Sequence, residues 1–202
     1  MQAITDTKHL TVQTLPPILV LTGEDVGQFE WLKKDILKKI GYDPSDLNYS
    51  YFDMKEASYA EVELDLVSLP FFADEKIVIL DHLLDLTTAK KRNLTDEDLK
   101  QFENYLENPS ESTRLVIFAE GKLDSKRRLV KLLKRDAQII EATTPKEQDL
   151  KRYFASQAQE LGLQFVGDSL DQLLLKSGYD FGELQKNLAL LQAYKEDGQI
   201  TL

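Results

Sequence analysis

A glycine follows the first apolar run of the chain, where a phosphate-binding loop would join a strand to a helix. The run covers residues 18–22, and a short acidic segment separates Gly23 from Gly27. A Walker A loop needs one more residue between its glycines, a lysine to neutralise phosphate, and a hydroxyl to hold magnesium. Here Glu24 and Asp25 occupy the loop, and no Lys-Ser/Thr pair follows. A carboxylate about 4 Å from a phosphate charge costs roughly 4 kcal/mol at an effective dielectric near 20, so we expect no tight nucleotide binding.

A second apolar run, residues 76–80, ends in Asp81 and His82. This pattern is similar to a Walker B strand, whose acid ligates magnesium, but His82 replaces the acid that usually positions the attacking water. We therefore expect Asp81 to cap the next helix or face solvent, and His82 to be an ordinary surface residue. The alternative is a P-loop-derived NTPase or nucleotide-dependent kinase that uses an unusual loop around Gly23 together with Asp81.

Composition excludes other kinds of site. The 202 residues contain no cysteine and only two histidines, which excludes disulfides, thiol catalysis, thiolate zinc sites and His-rich metal sites. With 35 acidic residues, neighbouring carboxylates arise by chance. We predict no catalytic residue, no metal and no cofactor. No secretory signal and no apolar run of roughly 18 residues is visible, so we expect no membrane contact and a cytoplasmic location.

The charge is unevenly distributed over a chain of net charge −10. Residues 53–111 carry 15 acidic and 6 basic side chains, whereas residues 122–135 carry seven basic side chains and one acid, Asp124. The basic segment is expected to be helical from residue 125 to residue 135. Its charged face either contacts a nucleic-acid backbone or only keeps the surface solvated, and charge runs on helices more often do the latter.

The chemistry-bearing residues lie among elements whose pattern predicts a parallel sheet. Short, nearly continuous apolar runs are typical of strands that are buried on both faces, and helical stripes separate them. We therefore predict an α/β fold with a doubly wound, five-stranded parallel sheet. The five predicted strands cover residues 18–22, 47–52, 76–80, 114–119 and 137–142.

The pattern changes after residue 142. Three helical stripes follow, the first with Thr144 as its N-cap and Pro145 in its first turn. We predict an α/β domain over residues 1–143 and a helical domain over residues 144–202. The last four residues hold an apolar pair with nothing predicted to pack against it, so we expect a longer natural chain.

Several segments together resemble the delta subunit of the bacterial DNA polymerase III clamp loader. The most specific is the sequence Leu-Pro-Phe-Phe at 69–72, directly before the third strand. The degenerate loop at 21–25, the Lys-Leu-Asp sequence at 122–124 and the three-helix segment after Thr144 also match. The resemblance covers the whole chain.

The resemblance implies an AAA+-like module without ATPase function, followed by a helical lid domain. It implies an accessory, non-catalytic subunit of the polymerase III holoenzyme that opens the ring-shaped sliding clamp. A C-terminal helical domain beyond residue 202 would join the other loader subunits, so these residues alone would be monomeric. The lid of active relatives carries a sensor arginine where this sequence has Gly182. In the assembled loader, the basic segment would contact DNA through Lys126, Arg127 and Arg128.

Position by position, the resemblance assigns clamp binding to the segment before the third strand. From the sequence alone, large apolar side chains at a helix-to-strand junction are more often core residues. The proline breaks the helix, however, and a polar turn follows, which places the aromatic pair on a loop and favours an interface anchor. The predicted clamp-binding residues are Leu69, Pro70, Phe71 and Phe72.

Overall fold

A five-stranded parallel sheet forms the centre of the first 142 residues. The computed structural model describes residues 1–70, 73–194 and 199–200. The strands are ordered β2-β3-β4-β1-β5, and every neighbouring pair is parallel. The bounds are β1 (Ile18–Gly23), β2 (Tyr49–Asp53), β3 (Lys76–Asp81), β4 (Thr113–Glu120) and β5 (Gln138–Ala142). The predicted doubly wound α/β fold is confirmed.

Helices cover both faces of this sheet. One face packs against α1 and α2, and the opposite face packs against α3, α4 and α5. Alternate residues of each strand enter the two cores: Leu19 and Leu21 face α2, whereas Val20 faces the other side. The helices are α1 (Gln2–Thr7), α2 (Val26–Lys39), α3 (Tyr59–Val67), α4 (Asp96–Glu107) and α5 (Arg128–Asp136).

Reciprocal capping boxes set the start of two of these helices. Ser58 accepts a hydrogen bond from the Glu61 N–H, and the Glu61 carboxylate accepts one from the Ser58 N–H. Thr95 and Asp98 form the same reciprocal pair at the start of α4. The basic helix α5 begins at Arg128, three residues after its predicted start, so Lys126 and Arg127 lie in the preceding turn and at the N-cap.

A third core lies among the helices that follow the sheet. It is formed by α6 (Glu147–Glu160), α7 (Ser169–Lys176) and α8 (Phe181–Tyr194), and Trp31 from α2 packs against it. The prediction that Thr144 caps α6 is wrong, because the helix begins at Glu147 after an extended Lys146. None of the helices in the described ranges is both long and apolar enough to cross a membrane.

The end of the chain contains a short strand that the pattern did not predict. Strand β7 (Gln199–Ile200) pairs in parallel with β6 (Gln164–Phe165). Ile200 is buried in the third core. The expectation that this apolar pair has nothing to pack against is therefore wrong for Ile200, because a strand too short to show a pattern joins residues far apart in sequence.

Candidate functional site

An aspartate side chain caps the N-terminus of α2 in the turn that follows β1. Asp25 is the N-cap of α2, and its Oδ1 accepts a hydrogen bond from the Gln28 N–H at 2.8 Å. The Asp25 N–H donates to the carbonyl of Ala142, the last residue of β5, at 3.3 Å. Phosphates bind at helix N-termini because free N–H groups and the helix dipole favour an anion there. In this chain, an aspartate already occupies that position.

Gly23 allows close packing of backbone at the same turn. Its φ is +134°, and a Cβ on it would lie 2.1 Å from the carbonyl oxygen of Ala142. Its N–H donates to the Gly121 carbonyl at 3.0 Å, and the Gly121 N–H donates back at 2.7 Å. Any side chain at Gly23 would collide with backbone. The glycine is therefore needed for the approach of β1 to its neighbours, whether or not a phosphate is bound.

Helices α2 and α8 touch backbone to backbone next to this turn. A Cβ on Gly27 would lie 2.5 Å from the Gly182 nitrogen and 2.8 Å from the Gly182 Cα. The contact continues through Trp31, whose ring packs edge-on against Phe181 at 6.1 Å and Tyr153 at 6.4 Å between centroids. Gly182, which the resemblance aligns with the sensor arginine of active relatives, packs against α2 in this structure.

Asp81 lies in a buried polar network, and the expectation that it caps a helix or faces solvent is wrong. Its carboxylate is 3% exposed, and one oxygen, Oδ2, lies 2.5 Å from Lys33 Nζ and 2.5 Å from the Tyr51 hydroxyl. The other oxygen accepts the backbone N–H of His82 at 2.9 Å. A buried carboxylate needs such partners, because an unpaired charge in the interior is very costly. The partners are far apart in sequence, so no local pattern revealed them.

The same network extends to His82, which is not an ordinary surface residue. His82 has a φ of +57°, and its Nδ1 lies 2.9 Å from Asp53 Oδ1 and 3.4 Å from Asp81 Oδ2. Burial opposes ionisation of Asp53, but hydrogen bonds from the Lys55 N–H and from His82 hold its pKa below the usual value. Burial, together with the hydrogen bond to Asp81, raises the pKa of Tyr51 far above its usual value. The network joins the ends of β2 and β3 to α2.

An exposed apolar surface surrounds the end of α3. Leu69 is 74% exposed, which excludes a core position for it, and Pro70 is half-buried. Leu64 and Val67 on α3 are 71% and 59% exposed. The two aromatic residues of the predicted clamp-binding segment, Phe71 and Phe72, lie outside the described residues.

Leu64 and Val67 are not among the residues that the sequence predicts for this site. A signal for them was present, because α3 carries more apolar residues than one buried stripe requires. Tyr59, Val62 and Leu66 form the buried stripe of this helix. The surplus apolar residues therefore had to lie on an exposed face.

The three basic residues predicted to contact DNA have different surroundings. Lys126 is exposed, and Arg128 is exposed with ion pairs to two glutamates of α4 at 2.5 and 3.4 Å. Arg127 is half-buried: its Nη1 donates to the Asp85 carbonyl at 2.5 Å, and its Nε donates to Asp124 at 3.2 Å. Arg127 thus holds the turn before α5 against the short 3-10 helix (Leu84–Leu86) that follows β3.

Metal-ligating side chains are not clustered in the part of the chain that the structure describes. No group of three or more His, Asp or Glu side chains is placed there to hold a metal ion. Asp81, which stands where a Walker B strand carries its magnesium ligand, instead forms an ion pair with Lys33.

Comparison with known proteins points to one family. Residues 19–143 match the family model described as DNA polymerase III, delta subunit. The chain is 30% identical over 137 residues to DNA polymerase III subunit delta of Bacillus subtilis (strain 168), covering 67% of this chain and 40% of that protein. The solved structure of the Bacillus subtilis DNA clamp loader delta protein has a TM-score of 0.71 at 21% identity, covering 99% of this chain and 59% of the other. The chain thus spans only part of the length of these relatives.

Proposed function

The chain belongs to the DNA polymerase III delta-subunit family, and we propose that it binds the ring-shaped sliding DNA clamp and opens it during DNA replication without hydrolysing ATP. The observation that carries this proposal is the exposure of Leu69, an apolar side chain at the end of α3 that is 74% accessible. Large apolar residues that cluster on a surface are typical of protein interfaces. The clamp contact is assigned to Leu69, Pro70, Phe71 and Phe72.

The absence of ATPase activity is supported by the turn after β1. The carboxylate of Asp25 caps α2 at the place a phosphate would occupy, and the Gly27–Gly182 contact closes α8 onto α2. Asp81, which a nucleotide-dependent enzyme would use for magnesium, is neutralised by Lys33. These contacts disfavour the alternative of an NTPase or nucleotide-dependent kinase. Saturable micromolar ATP binding in calorimetry with magnesium present would contradict the proposal.

The clamp contact is tested with the double variant Phe71→Ala, Phe72→Ala. Interface anchors typically lose about 2 kcal/mol or more on truncation, and each 1.4 kcal/mol is about tenfold. We expect clamp affinity in surface plasmon resonance to fall more than about a hundredfold and the melting temperature to stay unchanged.

A matched pair of exposed leucines provides the control for this test. Leu69→Ala should also weaken clamp binding. Leu175 is a similarly exposed leucine, but it lies on α7 and not in the predicted clamp-binding segment, so Leu175→Ala should leave clamp binding unchanged. A large fall in the melting temperature of the double variant would make the two phenylalanines core residues. Wild-type affinity with wild-type melting would remove them from the interface.

Several further assignments belong to the same proposal. We propose that Lys126, Arg127 and Arg128 lie on the side that faces DNA in the assembled loader, with Arg127 also holding its own turn. The division at residue 143 into an AAA+-like domain and a helical lid is part of the proposal, as is a cytoplasmic location. Contact with the other loader subunits through a C-terminal domain, and a monomeric state of the 202 residues alone, remain predictions.

A further inference from the structure

The last turn of α3 is held by side chains from two strands of the sheet. The ammonium of Lys76, the first residue of β3, donates to the Asp65 carbonyl, to Asp65 Oδ1 at 2.9 Å and to Ser68 Oγ at 2.6 Å. The Thr113 hydroxyl at the start of β4 donates to the Leu66 carbonyl at 3.3 Å. Two of the carbonyls that a helix C-terminus leaves without intrahelical partners are thus bound by the sheet.

Lys76 places a buried ammonium group at the C-terminus of α3. Its side chain is 6% exposed, so its charge must be satisfied inside the protein, and the three donors of the ammonium meet three acceptors. A cation at a helix C-terminus is also favoured by the helix dipole. Because all three acceptors lie on Asp65 and Ser68, the ammonium fixes where α3 ends.

The end of α3 determines how Leu69 is presented. Ser68 leaves the helix in an extended conformation, with φ −71° and ψ 150°, and its side chain is bound to Lys76. Leu69, the next residue, is exposed. The Ser68 hydroxyl donates hydrogen bonds to Asp65 within the last turn of α3. Among the residues described, the Lys76 ammonium is its one hydrogen-bond partner from outside that turn.

The chain is also held where it enters β3, after the predicted clamp-binding segment. Glu75 accepts two hydrogen bonds from the Arg114 guanidinium at 2.9 and 2.6 Å, and these bonds hold the pKa of Glu75 below its usual value. Arg114 also donates to the Leu15 carbonyl at 3.2 Å. The Lys76 N–H donates to the Ser112 carbonyl at 2.9 Å. The chain is therefore held both where it leaves α3 and where it enters β3.

We propose that Lys76 is a positioning residue for clamp recognition: through Asp65 and Ser68 it presets the direction in which Leu69 projects from α3. The inference rests on the proposed function, since it assigns Lys76 a role in that interface without contact with the clamp. Ordering a segment before binding removes a cost that complex formation would otherwise include. Loss of the ammonium should therefore weaken clamp binding while the fold persists.

The test compares two lysines of similar chemistry in the full chain. Lys76→Met keeps the aliphatic stem and removes the ammonium. Lys39→Met is the control, because Lys39 also binds a carboxylate, Asp35, at 2.6 Å and a backbone carbonyl, Thr7, at 2.8 Å, on the opposite face of the sheet. At a temperature at which circular dichroism shows both variants folded, Lys76→Met should lower clamp affinity about tenfold, and Lys39→Met should not lower it.

A double-mutant cycle supplies the readout that a merely structural role would not move. If Lys76 acts through Leu69, Lys76→Met should change affinity by no more than about twofold in a Leu69→Ala background, because the two losses are not additive. Ser68→Ala retains the lysine and removes one acceptor, so it replaces Lys76→Met if that variant fails to fold. For Ser68→Ala we expect a loss of about threefold in affinity.

The outcomes separate this inference from the proposed function. The inference is overturned if Lys76→Met binds the clamp as tightly as Lys39→Met does. The same holds for Ser68→Ala where that variant is used instead. A full additive loss in the Leu69→Ala background also overturns it. Wild-type affinity of the Phe71→Ala, Phe72→Ala variant would instead overturn the proposed clamp contact itself.

Discussion

Replacing Gly27 with alanine tests the closure of α8 onto α2. At an exposed helix position, Gly→Ala stabilises by up to about 1 kcal/mol, because glycine loses the most backbone entropy. Here the new Cβ would lie 2.5 Å from the Gly182 nitrogen, far inside the contact distance of roughly 3.5 to 4 Å. The atoms that it meets are backbone, so no side chain can rotate away. Overpacking costs about 1 to 3 kcal/mol, and a backbone contact this short belongs in the upper part of that range. After the gain of up to about 1 kcal/mol is subtracted, the net destabilisation should be about 1 to 2 kcal/mol.

The measurement is thermal and urea unfolding of Gly27→Ala beside Gly182→Ala. For a chain of this size, 1 kcal/mol shifts the melting temperature by about 2 to 4 °C, so we expect a fall of roughly 2 to 8 °C. Gly182→Ala should lose less, because its Cβ would lie 3.1 Å from the Gly27 Cα and 3.3 Å from Asp180 Oδ1. If Gly27→Ala is as stable as the wild type or more stable, the two helices are not in backbone contact and α8 does not close onto α2.

Four further variants test the buried polar groups and the basic turn. Asp81→Asn should destabilise by about 3 kcal/mol in urea unfolding, because it leaves the Lys33 ammonium buried without a counterion; a loss below about 0.5 kcal/mol, typical of surface positions, would contradict the network. Gln28→Met should stabilise by about 1 kcal/mol, since both polar atoms of the buried Gln28 amide lack hydrogen-bond partners within the described ranges; a loss of stability would indicate that an ordered water satisfies the amide. Lys126→Ala should lower the salt slope of DNA binding by about one unit in the assembled loader without changing the stability of the fold. Arg127→Ala should lower the slope and also destabilise the fold. An unchanged slope for Lys126→Ala would make Lys126 a solvated surface residue.

Much of the fold was predictable because its signals are local or depend only on burial. The three central strands, β3, β4 and β1, are short, nearly continuous apolar runs because both of their faces are buried. The capping pairs at Ser58 and Thr95 connect residues three apart, so the sequence displays them directly. The start of α6 was predicted wrongly, although Thr144 and Pro145 have suitable types. The chain there stays extended as far as Lys146.

The sequence by itself determined that the turn after β1 lacks the residues for nucleotide chemistry, and that an apolar segment lies between α3 and β3. Tertiary structure alone decided what replaces that chemistry. Lys33 meets Asp81 across 48 positions, Gly27 meets Gly182 on another helix, and Lys76 crosses from β3 to the end of α3. Each contact depends on how the elements pack against each other. Residue type indicates that a charge or a glycine is present, but only packing brings its partner within a few ångströms.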